Sequence, residues 1–83
     1  MDAKSTKQYL RQLSKKQLIK LFDECELDYG EKWILIYAFI EKRMVENICM
    51  RLSIGHTNYH TTLNKALIKV ENKIKELDKI RSF

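Results

Sequence analysis

Apolar residues recur along this chain at helical spacing, in stretches separated by short polar breaks. The first stretch, from about Thr6 to Gln12, turns Tyr9, Leu10 and Leu13 inward, with Ser5 expected as its N-cap. Ser14-Lys15-Lys16-Gln17 then has the form of a capping box, in which serine and glutamine each satisfy a free amide at a helix start. The helix it opens, about 15–26, sets Leu18, Phe22 and Cys25 on one stripe with Leu21 beside it. The pattern is compatible with two separate helices or with one kinked helix. Glu26-Leu27-Asp28-Tyr29-Gly30 reads as a connection, with Asp28 expected to cap the next helix. That helix, about 30–41, is apolar on most sides through Trp33, Ile34, Ile36, Tyr37, Phe39 and Ile40. A helix apolar all round belongs at the centre of a fold, so its aromatic residues are expected as core rather than as stacking platforms.

After Glu41-Lys42-Arg43 a short helix of about 44–52 carries Val45, Ile48, Cys49 and Leu52 inward. Ser53-Ile54-Gly55 interrupts it, and a last helix starts at about His56 and runs to about Lys79. Its inward positions are Tyr59, Leu63, Ala66, Leu67, Val70, Ile74 and Leu77. From Leu63 the spacing alternates four and three, which is a heptad seam. Such a helix outruns what a small globule needs to cover its core. Val70, Ile74 and Leu77 are therefore a candidate seam for packing back on the N-terminal helices, for a homodimer, or for a partner protein; a homodimer through this tail and the N-terminal helices is the expected use, setting two recognition helices about one DNA turn apart.

Composition narrows the fold class to all-α. The 83 residues contain no proline and only two glycines, too few breakers for the many turns of a β-sandwich or barrel. The expected organisation is a single domain: N-terminal helices over 1–27, a core helix over 30–41, a trihelical helix-turn-helix completed over 44–70, and a helical extension over 70–83. The longest apolar run, WILIYAFI (33–40), falls far short of the roughly 20 residues that span a bilayer. The N-terminal MDAKSTKQ has no apolar run of signal-peptide length. Cys25 and Cys49 both fall on apolar faces and lack zinc-site spacing, so buried free thiols in a reducing cytoplasm are expected.

Charge changes the picture more. Net charge is +5, which favours an anionic partner. Residues 1–40 carry seven basic and six acidic groups, whereas residues 41–83 carry nine and five, so the excess lies mostly in the second half.

That half also holds the candidate chemistry. Over 45–67, Ile48 and Leu52 bury one helix and Cys49 is the small residue at a close crossing. Ser53 stands where a turn tends towards φ > 0, and Ile54 plugs the gap before Tyr59 and Leu63 bury the second helix. At about 100° per residue, the side opposite Tyr59, Leu63, Ala66 and Val70 presents Thr57, Thr61, Asn64 and Ile68, flanked by His60 and Lys65. His56 and Thr57 occupy the first turn, whose free amides favour a phosphate. Threonine, asparagine and neutral histidine read base edges in a major groove, which makes His56, Thr57, His60, Thr61 and Asn64 the candidate base contacts. Lys42, Arg43, Arg51, Lys65 and Lys69 are the candidate phosphate contacts.

From about Glu31 to Val70 the residues EKWILIYAFIEKRMVENICMRLSIGHTNYHTTLNKALIKV resemble region 4 of sigma-70-type factors and the related helix-turn-helix of phage regulators similar to the ArpU family. Ile48, Cys49, Leu52, Ile54, Leu63, Ala66 and Leu67 carry the resemblance. Cys49 stands for the usual alanine, Gly55 for the N-cap serine, Asn58 for a threonine and Tyr59 for an aliphatic residue. No counterpart of sigma region 2 is seen. The resemblance implies a small, phage- or mobile-element-encoded transcription regulator that binds double-stranded DNA in the cytoplasm.

Other readings of the same residues are weaker. His56 and His60 have the i, i+4 spacing of metal ligands but no evident third ligand, so no metal or other cofactor is expected. No nucleophile–base pair or phosphate loop is present, so no enzyme is expected. The main rival is a protein-interaction module that binds RNA polymerase, a sigma factor or another host protein through the same scaffold. Modest net charge, an outward Ile68 and the absence of arginine from the outward face favour that rival.

Overall fold

In the computed structural model five helices succeed one another, and residues 3–81 are described. They are α1 (Ala3–Gln12), α2 (Lys15–Glu24), α3 (Tyr29–Leu35, continued by a π-helical turn over Ile36–Ile40), α4 (Val45–Leu52) and α5 (His56–Arg81). No strand occurs among the described residues, so the all-α expectation holds. α5 has 26 residues. At 1.5 Å per residue it is about 39 Å long, and it sets the long axis of a body measuring 44 × 22 × 21 Å. The other helices pack along it. The last positions of the expected extension, 82–83, lie outside the described residues.

The capping box of α2 is formed as read. Ser14 Oγ accepts the Gln17 N–H at 3.2 Å, and Gln17 Oε1 accepts the Ser14 N–H at 2.8 Å. These bonds make α1 and α2 separate helices. α1 begins earlier than expected, at Ala3, so Ser5 lies inside the helix and is not its N-cap. Its buried stripe also differs: Thr6 and Leu10 are fully buried while Tyr9 is exposed. Thr6, Leu10 and Leu13 share a face at i, i+4, i+7, and that face meets α5.

The heptad seam is used within the chain. Leu63, Leu67, Val70 and Ile74 are all core residues, packed with Leu10, Leu18, Phe22 and Ile34 in one cluster. Val70 is 0% exposed and Ile74 4%, with Leu77 partly buried at the edge of the cluster. Of the uses expected for the seam, packing back on the N-terminal helices is the one seen within the chain. Val70 and Ile74 are covered by the chain's own core, while Leu77 lines a hollow shared with Tyr9 and Leu13.

α3 departs from a plain helix. The Glu41 N–H donates to the Ile36 carbonyl and the Arg43 N–H to the Tyr37 carbonyl, each at 2.9 Å, wider spans than the ordinary α-turn. Lys42 sits between them at φ 53, in the left-handed region. The widened end leaves Trp33, Ile36, Tyr37 and Ile40 only partly buried, while Leu35 is fully buried. Tyr37 thus packs at the edge of the core, and Trp33, expected there too, lies on the surface beside it. With exposed Tyr29 they make a surface ladder, ring centroids 6.0 Å (Tyr29–Trp33) and 5.4 Å (Trp33–Tyr37) apart.

Candidate nucleic-acid interface

α4 and α5 meet through a three-residue turn. At the end of α4 the Ile54 N–H donates to the Cys49 carbonyl at 3.0 Å, and Ser53 adopts φ 56, ψ 45. This closes the helix by the route glycine normally takes, and here a serine takes it. Gly55 has no positive φ; its carbonyl accepts the Tyr59 N–H at 2.9 Å and starts α5. Ile48 and Cys49 are buried beneath the turn, and Tyr59, Leu63, Ala66 and Leu67 beneath the first half of α5.

With that side buried, the opposite side of α5 faces solvent. His56, Thr57, His60, Thr61 and Asn64 are all exposed, as are Asn58 and Lys65. The His60 ring meets buried Tyr59 edge-on at 5.1 Å, so an outward side chain rests on an inward one. Burial raises the Tyr59 hydroxyl above its usual range, and proximity to Cys49 adds to the effect. From Val45 to Val70 the only acidic residue is Glu46, and from His56 to Val70 there is none. Ile68 stands 57% exposed at the far end of this face.

The five expected phosphate contacts do not share one surface. Lys65 is exposed beside the outward face of α5. Arg51 is exposed at the end of α4, its Nε donating to Asn47 Oδ1 at 3.2 Å. Arg43 donates to the same Asn47 oxygen from Nη1 at 3.1 Å, and its Nη2 lies 2.8 Å from Glu41. Both guanidinium groups also lie over the Tyr37 ring, at 5.7 Å for Arg43 and 6.0 Å for Arg51. Asn47 and Tyr37 therefore hold two cations in fixed directions. Lys42 turns towards α1, sharing a shallow groove with Arg11.

Lys69 is the exception. Its Nζ donates to Glu31 Oε1 at 2.7 Å, which ties it to the inside of the fold. Glu31 is 3% exposed and also accepts the Asp28 N–H at 3.0 Å. Burial pushes its carboxyl up, but the bonds from Lys69 and Asp28 outweigh this and hold it below the usual carboxylate range. The bond to Glu31 raises the Lys69 ammonium.

Sequence reasoning missed Asn47, Tyr37 and Glu31. Arg43, Asn47 and Arg51 stand at successive i, i+4 positions, a signal for mutual contact. Glu31 comes after Asp28 at the same spacing that identifies Ser14 and Gln17 as a capping box. Among the described residues no group of three or more histidine, cysteine or acidic side chains is arranged to hold a metal. Cys25 and Cys49 are free and buried. No helix among the described residues is long and apolar enough to cross a membrane. Compared with known families, curated proteins and solved structures, the chain matches none.

Proposed function

We propose that the protein binds double-stranded DNA with the outward face of α5 and acts as a small cytoplasmic transcription regulator, α4 and α5 serving as a helix-turn-helix. The observation that carries this reading is the acid-free stretch from His56 to Asn64, whose His56, Thr57, His60, Thr61 and Asn64 are exposed on a helix whose opposite side is buried. A rigid helix of this kind fits a major groove, and its side chains are types that hydrogen-bond base edges. Asn64 suits adenine, Thr61 and Thr57 either base type, and the first-turn amides near His56 a phosphate. Arg51 and Lys65 flank the face and supply backbone contacts, with Arg43 held beside Arg51 by Asn47. Ile68 can meet a thymine methyl at the edge of the footprint. It is also the reading implied by the sequence resemblance of residues 31–70 to sigma region 4 and to phage regulators of the ArpU type.

The test is duplex binding to fragments of the source genome in the presence of competitor DNA. Thr61→Ala combined with Asn64→Ala should abolish sequence preference while leaving the fold intact. Unchanged affinity and preference in that variant would remove the proposal. Binding of RNA polymerase or a sigma factor by the same face is the alternative, favoured by exposed Ile68. Its signature is capture of that protein with no duplex binding at low salt.

A further inference from the structure

A shallow groove runs between α1, the start of α2 and the end of α3. It consists of two adjoining hollows of about 320 and 200 Å³, and Arg11, Phe39 and Lys42 line both. Leu13 and Phe39 give it a small apolar floor, with Leu10 and Leu18 buried beneath. Arg11, Lys15, Lys42 and Arg43 surround it, and no acidic residue lines either hollow. Arg43 is partly neutralised by Glu41. Among the described residues no carboxylate pairs with Arg11, Lys15 or Lys42.

Lys42 occupies the left-handed region at φ 53, where glycine is the conformationally cheap residue. The chain thus keeps a cation at the groove's edge against local backbone preference. None of the five base-contact candidates on α5 lines this groove.

We propose that the groove binds an acidic amphipathic peptide segment of a partner protein. Its carboxylates meet Arg11, Lys15 and Lys42, and one or two large apolar side chains rest on the floor around Leu13 and Phe39. Charge complementarity selects the acid, and the apolar floor selects a peptide over a nucleic-acid backbone, which has no large apolar side chain to place there. This inference does not depend on DNA binding by α5.

The experiment is fluorescence anisotropy with a short labelled peptide carrying leucine and phenylalanine on one helical stripe and glutamate elsewhere. Saturable binding that weakens with salt is expected. Arg11→Glu combined with Lys15→Glu should weaken it by roughly tenfold or more, with unchanged helicity by circular dichroism. Lys42→Gly should weaken peptide binding while raising the thermal midpoint, a pairing that a purely structural lysine would not produce. The control peptide, with serine in place of leucine and phenylalanine, should bind far more weakly.

No saturation at low salt overturns the proposal, as does equal binding of the control peptide. A fall in duplex DNA affinity in the Arg11→Glu/Lys15→Glu variant that matches its loss of peptide also overturns it, because the groove would then be part of a nucleic-acid surface. Peptide binding retained in Thr61→Ala/Asn64→Ala supports it whatever that variant does to duplex binding.

Discussion

Lys69 Nζ lies 2.7 Å from Glu31 Oε1, joining the start of α3 to the middle of α5 across 38 positions of chain. Glu31 is the buried partner and Lys69 the more exposed one. The pair fixes the angle at which the central helix enters the fold, because the same carboxylate oxygen also accepts the Asp28 N–H. Glu31→Ala is expected to cost about 1–2 kcal/mol, through loss of a capping bond and of a charge-assisted one. Lys69→Met should also destabilise, since it leaves a buried carboxylate without its cation. Glu31→Gln with Lys69→Met should cost less than the two single changes summed, which urea midpoints of the four proteins would show.

The same pair sets a pH dependence. The folded Glu31 carboxyl is held below its usual range, so its contribution is present above the ordinary glutamate pKa and is lost as pH falls through the lowered folded value. The folded Lys69 ammonium is raised, so its contribution is present below the ordinary lysine pKa and is lost as pH rises through the folded value. A stability plateau between those ranges is expected, falling at both ends. Glu31→Gln should flatten the acid limb, measured as thermal midpoint against pH.

Ser53 closes α4 at φ 56 without the freedom of a glycine. Ser53→Gly should therefore stabilise by about 0.5–1 kcal/mol, the left-handed strain relieved less the entropy a glycine adds to the unfolded chain. For a domain of this size that is a rise of roughly 2–8 °C in thermal midpoint. Ser53→Val should move it the other way. A fall with glycine would mean that the serine side chain, and not the backbone, holds the turn.

Much of this fold is legible in the hydrophobic pattern because four of its helices are amphipathic. Tyr59, Leu63, Ala66, Leu67 and Val70 announce the buried side of α5 by spacing alone, and the exposed candidates are its complement. Ser14 and Gln17 announce the start of α2. The π-helical turn was not legible. One extra residue between Ile36 and Glu41 is settled by how the chain end closes over its neighbours, not by local preference, and it brings Tyr37 beneath Arg43 and Arg51. The fate of the heptad seam was equally open, because period alone does not say whether a stripe meets its own chain or another.

That fate has a direct test. Ile74 is 4% exposed and belongs to the same cluster as Leu10 and Phe22. Ile74→Ala should cost about 2–5 kcal/mol by leaving a cavity in the chain's own core. The loss should be the same at low and high protein concentration. A seam between two copies would instead make both the wild-type midpoint and the loss rise with concentration.

Asn47 offers the sharpest separation of charge from geometry in the proposed interface. Arg51→Ala and Lys65→Ala each remove a cation that flanks the outward face of α5. Each should weaken duplex binding about equally across sequences and reduce the salt slope by about one. Asn47 carries no charge, yet its Oδ1 holds the guanidinium groups of both Arg43 and Arg51. Asn47→Ala should therefore lower duplex affinity while leaving the salt slope near the wild-type value, since the same number of counterions is released. Asn47→Asp, isosteric with a stronger acceptor, should keep the arginines placed but lower the net charge of the surface, and so weaken binding most at low salt. Duplex titrations over a range of salt for the four variants give both quantities. If Asn47→Ala and Arg51→Ala change slope and affinity alike, the arginine acts only as a charge and its placement by Asn47 and Tyr37 is irrelevant to binding. If none of the variants changes either quantity, the duplex does not lie on this face at all.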